Sequence, residues 1–171
     1  YGLKAIELIN KSLKDACDDP QNLKARGDMM LGSYLGGLAI TAGIGIAHIM
    51  AQPLGAMYKI PHGDACSIFL PAAMELNMDH AEARYARIAE ALGVAEPEST
   101  DRENARRAVA RVRAIREEIG APVCLAPYIK ETPDMDFIID TVKKTTGHIT
   151  CNPCPLTEQL MKDAFEKAME Q

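Results

Sequence analysis

Two histidines, His48 and His62, lie in a 30-residue stretch, Ala42 to Pro71, that is nearly free of charge. Lys59 and Asp64 are its only formally charged residues. An imidazole taken out of water needs a partner for its ring nitrogens, and a metal ion is one such partner. The two histidines are 14 positions apart. On one straight helix they would be separated by about 21 Å along the axis, at about 1.5 Å per residue. Two ligands of one metal each lie about 2 Å from it, so a continuous helix is excluded. The sequence breaks it. Pro61 cannot occupy a helix interior and pushes Ile60 toward extended geometry, and Gly63 is expected to allow a tight backbone path. The reading is therefore a helix from Gly45 to Tyr58, a turn at Lys59–Pro61 and a helix from Gly63 to Asn77. That arrangement places both imidazoles against one cavity, less than about 8 Å apart if they share a metal. Spacing alone fits two packed core histidines equally well.

The elements around this pair read as helices. Apolar residues at Leu3, Ile6, Ile9, Leu13 and Ala16 have helical spacing, and Asp18-Asp19-Pro20 ends that segment. A second helix spans about Asn22 to Thr41. Its Gly32, Gly36, Ser33 and Gly37 are small residues four apart, which let another helix approach closely. After the histidine helices, with a kink expected at Pro71, come an amphipathic helix from Ala81 to Leu92 and a loop at VAEPES. Thr100 with Glu103 matches a capping box and opens a charged helix to about Ile119. Its stripe is Val109, Val112, Ile115 and Ile119; Arg106, Arg107, Arg111, Arg113 and Arg116 read as a solvated face among glutamates. Thr132 and Pro133 start a helix to about Thr146, and Thr157 caps the last, to about Glu170. No period-two alternation persists. The expectation is an all-α bundle of seven to eight helices, forming a single domain over 1–171.

Composition bounds the function. The chain has 171 residues, 47% hydrophobic but only 5% aromatic, with nine Met, so its core is aliphatic. A net charge of −5 argues against nucleic acid as a partner, because phosphate binding needs a basic face. Five irregularly spaced Cys point to a reducing cytoplasm rather than a disulfide framework. The amphipathic start lacks the pattern of a signal peptide. Met29 to Ala51 holds 23 residues without Lys, Arg, Asp or Glu, long enough to span a bilayer. Its five glycines and missing anchors favour a central bundle helix, hydrophobic all round, over a membrane span.

Other candidates are weaker. Cys151 and Cys154 form a CxxC, but no second pair exists for a structural zinc, so the loop reads as structural. Cys66 follows His62 by four positions and could approach a metal. His80 and His148 are solitary and read as surface or loop residues.

The run HxxxxPLGxxxxxPHGxxxxxxLP, from His48 to Pro71 and preceded by AGxG at Ala42–Gly45, resembles the signature of the iron-containing (group III) alcohol dehydrogenases. The resemblance covers nearly the whole chain, as that family's C-terminal, dehydroquinate synthase-like helical domain. It implies that His48 and His62 are two of four metal ligands, the other two being an Asp and a His upstream of Tyr1. It thus implies a domain fragment without the dinucleotide-binding domain, inactive by itself. It further implies Fe(2+), or Zn(2+), with NAD or NADP as hydride carrier, a small alcohol or aldehyde as substrate, and a homo-oligomer, dimer or larger. Gln52 stands where the family usually has a second His near the nicotinamide. An amide cannot relay a proton near neutral pH, so a catalytic role for Gln52 is in doubt while metal binding is untouched. The family uses no thiol at the position of Cys66, and its asparagine-proline-arginine run resembles Asn152 to Cys154 here. The alternatives are a zinc-dependent glycerol dehydrogenase or dehydroquinate synthase-like domain, and a non-catalytic helical interaction module in which the histidines only pack.

Overall fold

The computed structural model describes residues 1–131, 133–144 and 151–170. Among them every regular element is helical, so the chain is all-α as expected. The α-helices are α1 (Gly2–Asp18), α2 (Leu23–Ala39), α3 (Ile46–Tyr58), α4 (His62–Leu76), α5 (Met78–Ala91), α6 (Asp101–Glu118), α7 (Met135–Lys144) and α8 (Glu158–Glu170), with a 3-10 turn at Ile40–Ala42. The helices form two compact units: residues 1–42 with 81–120, and residues 43–80 with 121–171. The division falls within α5, where Ala81 leaves helical geometry (φ −142°, ψ 17°). The amphipathic segment expected to begin at Ala81 is the part beyond that break.

In the first unit, α1 and α2 form an antiparallel hairpin. Asn22 caps α2 by accepting from the Ala25 backbone N–H at 3.0 Å, and the buried Ser12 hydroxyl donates to Asp28 at 2.9 Å. A Cβ on Gly32 would lie 2.9 Å from Ile9 Cγ1, so here the small residue does permit close approach. Gly36 and Gly37 have nothing within 4 Å of a Cβ, and the expected stripe reduces to that single position. The expectation of a central, fully buried helix also fails. Met30 (74%) and Tyr34 (63%) of α2 are exposed, because its one buried line faces α1 alone. Among the described residues no single helix is long and apolar enough to cross a membrane.

Helix α6 begins with the expected capping box. The Thr100 N–H donates to Glu103 at 2.8 Å, and the Glu103 N–H donates back to Thr100 Oγ1 at 3.3 Å. Its arginines pair with nearby carboxylates, Arg107 with Glu96 and Arg111 with Glu118. Arg116 departs from the solvated face, being only 5% exposed. The expected stripe is buried at Val109, while Val112, Ile115 and Ile119 are half-buried.

The second unit holds the aliphatic core. Ile46, Ile49, Met50 and Leu54 of α3, with Ile68 and Phe69 of α4, pack with residues of α7 and α8 and with Leu125. The order-of-magnitude gain is 1.5–3 kcal/mol for each such side chain taken from water. Helix α7 starts later than expected, with Asp134 Oδ1 accepting from the Phe137 N–H at 3.0 Å. The expected Thr132 cap, the helix end near Thr146 and His148 lie outside the described residues. Thr157 caps α8, accepting from the Leu160 N–H at 3.1 Å.

Candidate metal centre

Helix α3 begins at a glycine, Gly45, which has no side chain to cap it. Its cap arrives from far along the chain. Asn152 Oδ1 accepts from the Ile46 backbone N–H at 3.1 Å, satisfying one of the free donors at the helix start. The same amide exchanges two hydrogen bonds with the buried Asn77 (2.7 and 3.1 Å), and Asn77 Oδ1 also accepts from the Cys154 N–H at 3.1 Å. This network explains the AGxG run. Gly43 adopts φ +107°, and a Cβ there would lie 2.2 Å from Cys151 Sγ, so only glycine fits between α3 and the Cys151–Cys154 loop. The structural reading of that loop therefore carries a specific task, and the residue that performs it is Asn152. Cys151 and Cys154 are both free thiols.

The reversal between α3 and α4 is made differently from expectation. Lys59, not a glycine, takes the left-handed conformation (φ 54°) at the end of α3. Gly63 has no positive φ and nothing within 4 Å of a Cβ. The close approach is instead at Gly55, where a Cβ would come within 3.3 Å of the Ile60 carbonyl. Ile60 is buried and Pro61 is the N-cap of α4. Helix α4 continues through Pro71 to Leu76.

This turn brings the histidines together. His48 is in the first turn of α3 and His62 is the first residue of α4. Their ring centroids are 4.6 Å apart, edge to face at 68°, well inside the roughly 8 Å that a shared metal requires. His48 is half-buried and His62 exposed. Cys66, one turn further along α4, places Sγ 3.7 Å from His48 Nδ1 and 3.5 Å from His62 Nε2. The three donor atoms lie within 4.8 Å of one another. Two imidazoles and a sulfur suit a borderline divalent ion such as zinc or ferrous iron. Burial pushes the Cys66 thiol above its ordinary pKa. Two residues after His62 on α4, Asp64 accepts from the Tyr128 hydroxyl at 3.0 Å; burial and that carboxylate push the phenol up. Gln52 is on α3, one turn after His48, and exposed. His80 is also exposed.

Residues 1–169 match the Fe-containing alcohol dehydrogenase family, C-terminal. The chain is 31% identical over 173 residues to alcohol dehydrogenase 4 of Saccharomyces cerevisiae, covering 98% of this chain and 43% of that protein. It is 38% identical over 131 residues to lactaldehyde reductase of Escherichia coli strain K12, covering 75% of this chain and 32% of the relative. The crystal structure of a 1,3-propanediol oxidoreductase superposes with a TM-score of 0.92 at 32% identity, over 98% of this chain and 44% of that one. The chain thus spans less than half the length of these relatives. With a profile match over nearly every residue and the fold in agreement, the chain belongs to the Fe-containing alcohol dehydrogenase family and corresponds to its C-terminal helical region.

Proposed function

We propose that the protein carrying this chain is a metal-dependent, NAD(P)-linked oxidoreductase that interconverts a small primary alcohol and its aldehyde. Residues 1–171 serve as its helical metal-binding domain, with His48 and His62 as ligands. The observation that carries this reading is the 4.6 Å approach of the two imidazoles across the α3–α4 turn. Family membership supports the reaction class, and the names of relatives support small alcohols and aldehydes as substrates. A metal held by His48 and His62 would supply Lewis-acid stabilisation of the alcohol oxygen, and a nicotinamide cofactor would supply the hydride acceptor.

The chain's own residues hold and aim that site. His48 and His62 would hold the metal through ring-nitrogen lone pairs, each needing its donating atom free of a proton. Asn152 fixes the start of α3 and hence the direction of His48. Lys59 and Gly55 set the reversal that returns His62 beside it. Gln52, on the same face as His48 by its four-residue spacing, can offer a hydrogen bond but cannot relay a proton near neutral pH. The protein acts in the cytoplasm as a homo-oligomer, dimer or larger, with iron as its metal and zinc as the alternative.

The test is NAD(P)-coupled oxidation of small primary alcohols, such as propane-1,3-diol, by the purified full-length protein. Chelation should abolish the rate and ferrous iron should restore it. An unchanged rate after complete metal removal would contradict the proposal.

A further inference from the structure

The donor set is not exhausted by the histidines. We propose that Cys66 is a third metal ligand from this chain, its Sγ joining His48 Nδ1 and His62 Nε2 in a two-imidazole, one-thiolate face supplied by α3 and α4. This rests on the reading that His48 and His62 hold a metal.

Three observations carry it. Cys66 and His62 are four residues apart on α4, the spacing that puts two side chains on one face. The sulfur approaches both rings almost equally, at 3.5 and 3.7 Å. A thiol can donate to one ring and accept from the other, and the same sulfur, once deprotonated, is placed to share one cation with both. The separations also match coordination geometry. Metal–sulfur and metal–nitrogen bonds of about 2.3 and 2.05 Å at a tetrahedral angle place S and N about 3.6 Å apart. Both sulfur-to-nitrogen separations thus already suit an ion between them, and the three donor atoms lie within 4.8 Å of one another.

Binding exchanges the S–H bond for an S–metal bond and releases one proton to solvent. The thiolate contributes one negative charge toward the dication. As a soft ligand it tilts the site toward zinc and cobalt relative to ferrous iron.

The experiment uses the full-length protein, stripped of metal and loaded with Co(II). Visible d–d bands report an ion in a protein site, and a near-ultraviolet sulfur-to-cobalt charge-transfer band reports a thiolate bond. Wild type should show both. Cys66→Ala and Cys66→Ser should lose the charge-transfer band, keep the d–d bands and lower zinc affinity by at least about tenfold, the smallest loss seen even for groups behind the ligands. Should a variant fold poorly, alkylation of wild type followed by peptide mass analysis reads the same bond: Cys66 should be modified in metal-free protein and protected in loaded protein. Bands from d–d transitions without charge transfer, charge transfer that survives both substitutions, or equal alkylation would overturn Cys66 as ligand while leaving the histidines in place. No d–d bands at all would overturn the metal reading beneath it.

Discussion

Helix α6 and helix α3 begin in opposite ways. Helix α6 is stopped and started by its own neighbours: Thr100 and Glu103 exchange hydrogen bonds across three residues. Helix α3 begins at a bare glycine, and the side chain that satisfies Ile46 N–H comes from Asn152, 106 positions away. The contrast extends to the units that hold them. Around α6 the buried line is narrow, α2 leaves Met30 and Tyr34 in water, and ion pairs such as Arg107–Glu96 lie at the surface, where each contributes about 0–1 kcal/mol. Around α3 the helices are apolar on most faces and are fixed by the Ile46, Ile49 and Leu54 core and by one amide network. The proposed metal pair sits in the second kind of unit, where distant residues agree on one geometry. A site built from two helix starts needs that precision.

The sharpest way to break this contrast is Asn152→Ala. It removes the cap of α3, typically about 0.5–2 kcal/mol, and leaves buried Asn77 short of partners, about 1–3 kcal/mol more. A loss of about 1.5–5 kcal/mol by denaturant unfolding is expected. Thr100→Ala, which removes only a local and exposed cap, should cost about 1 kcal/mol. Equal losses in the two variants would dissolve the distinction between remote and local capping.

Smaller effects separate positions within α2. Gly32→Val forces a side chain into the 2.9 Å approach to Ile9 and should destabilise by about 1–3 kcal/mol through overpacking. Gly36→Ala meets nothing within 4 Å and should stabilise by up to about 1 kcal/mol, because alanine is the better helix former. Thermal melts of the two variants moving in the same direction would mean that the α1–α2 hairpin is not held by Gly32.

These differences also decide what was legible in the sequence. The capping box, the ends of α1 and the break before His62 follow from local chemistry, and each is where the residues put it. The family signature identified the fold and the histidine pair. Local rules failed where tertiary contacts outweigh propensity. The run from Met29 to Ala51 is uniformly apolar, yet its α2 part faces one helix and its α3 part is core. Arg116 looked like its solvated neighbours, but helix phase turns it inward. Lys59, not Gly63, makes the reversal, because the αL residue ends α3 rather than starting α4. Asn152 showed only as part of a CxxC and of the family's asparagine-proline run, neither of which gave its task; a bare glycine at a helix start, awaiting a distant cap, is the clue that could have found it.

The central claim is that the α3–α4 turn exists to make His48 and His62 share one metal. Elemental analysis of the purified full-length protein tests it most directly, comparing wild type with His48→Ala, His62→Ala and Gln52→His after dialysis. Near one metal per chain is expected in wild type and in Gln52→His, where only rate or pH profile should change because position 52 is no ligand. Most of the metal should be gone from both alanine variants, each of which removes one donor from a single site. Full metal retained in either alanine variant would contradict the account.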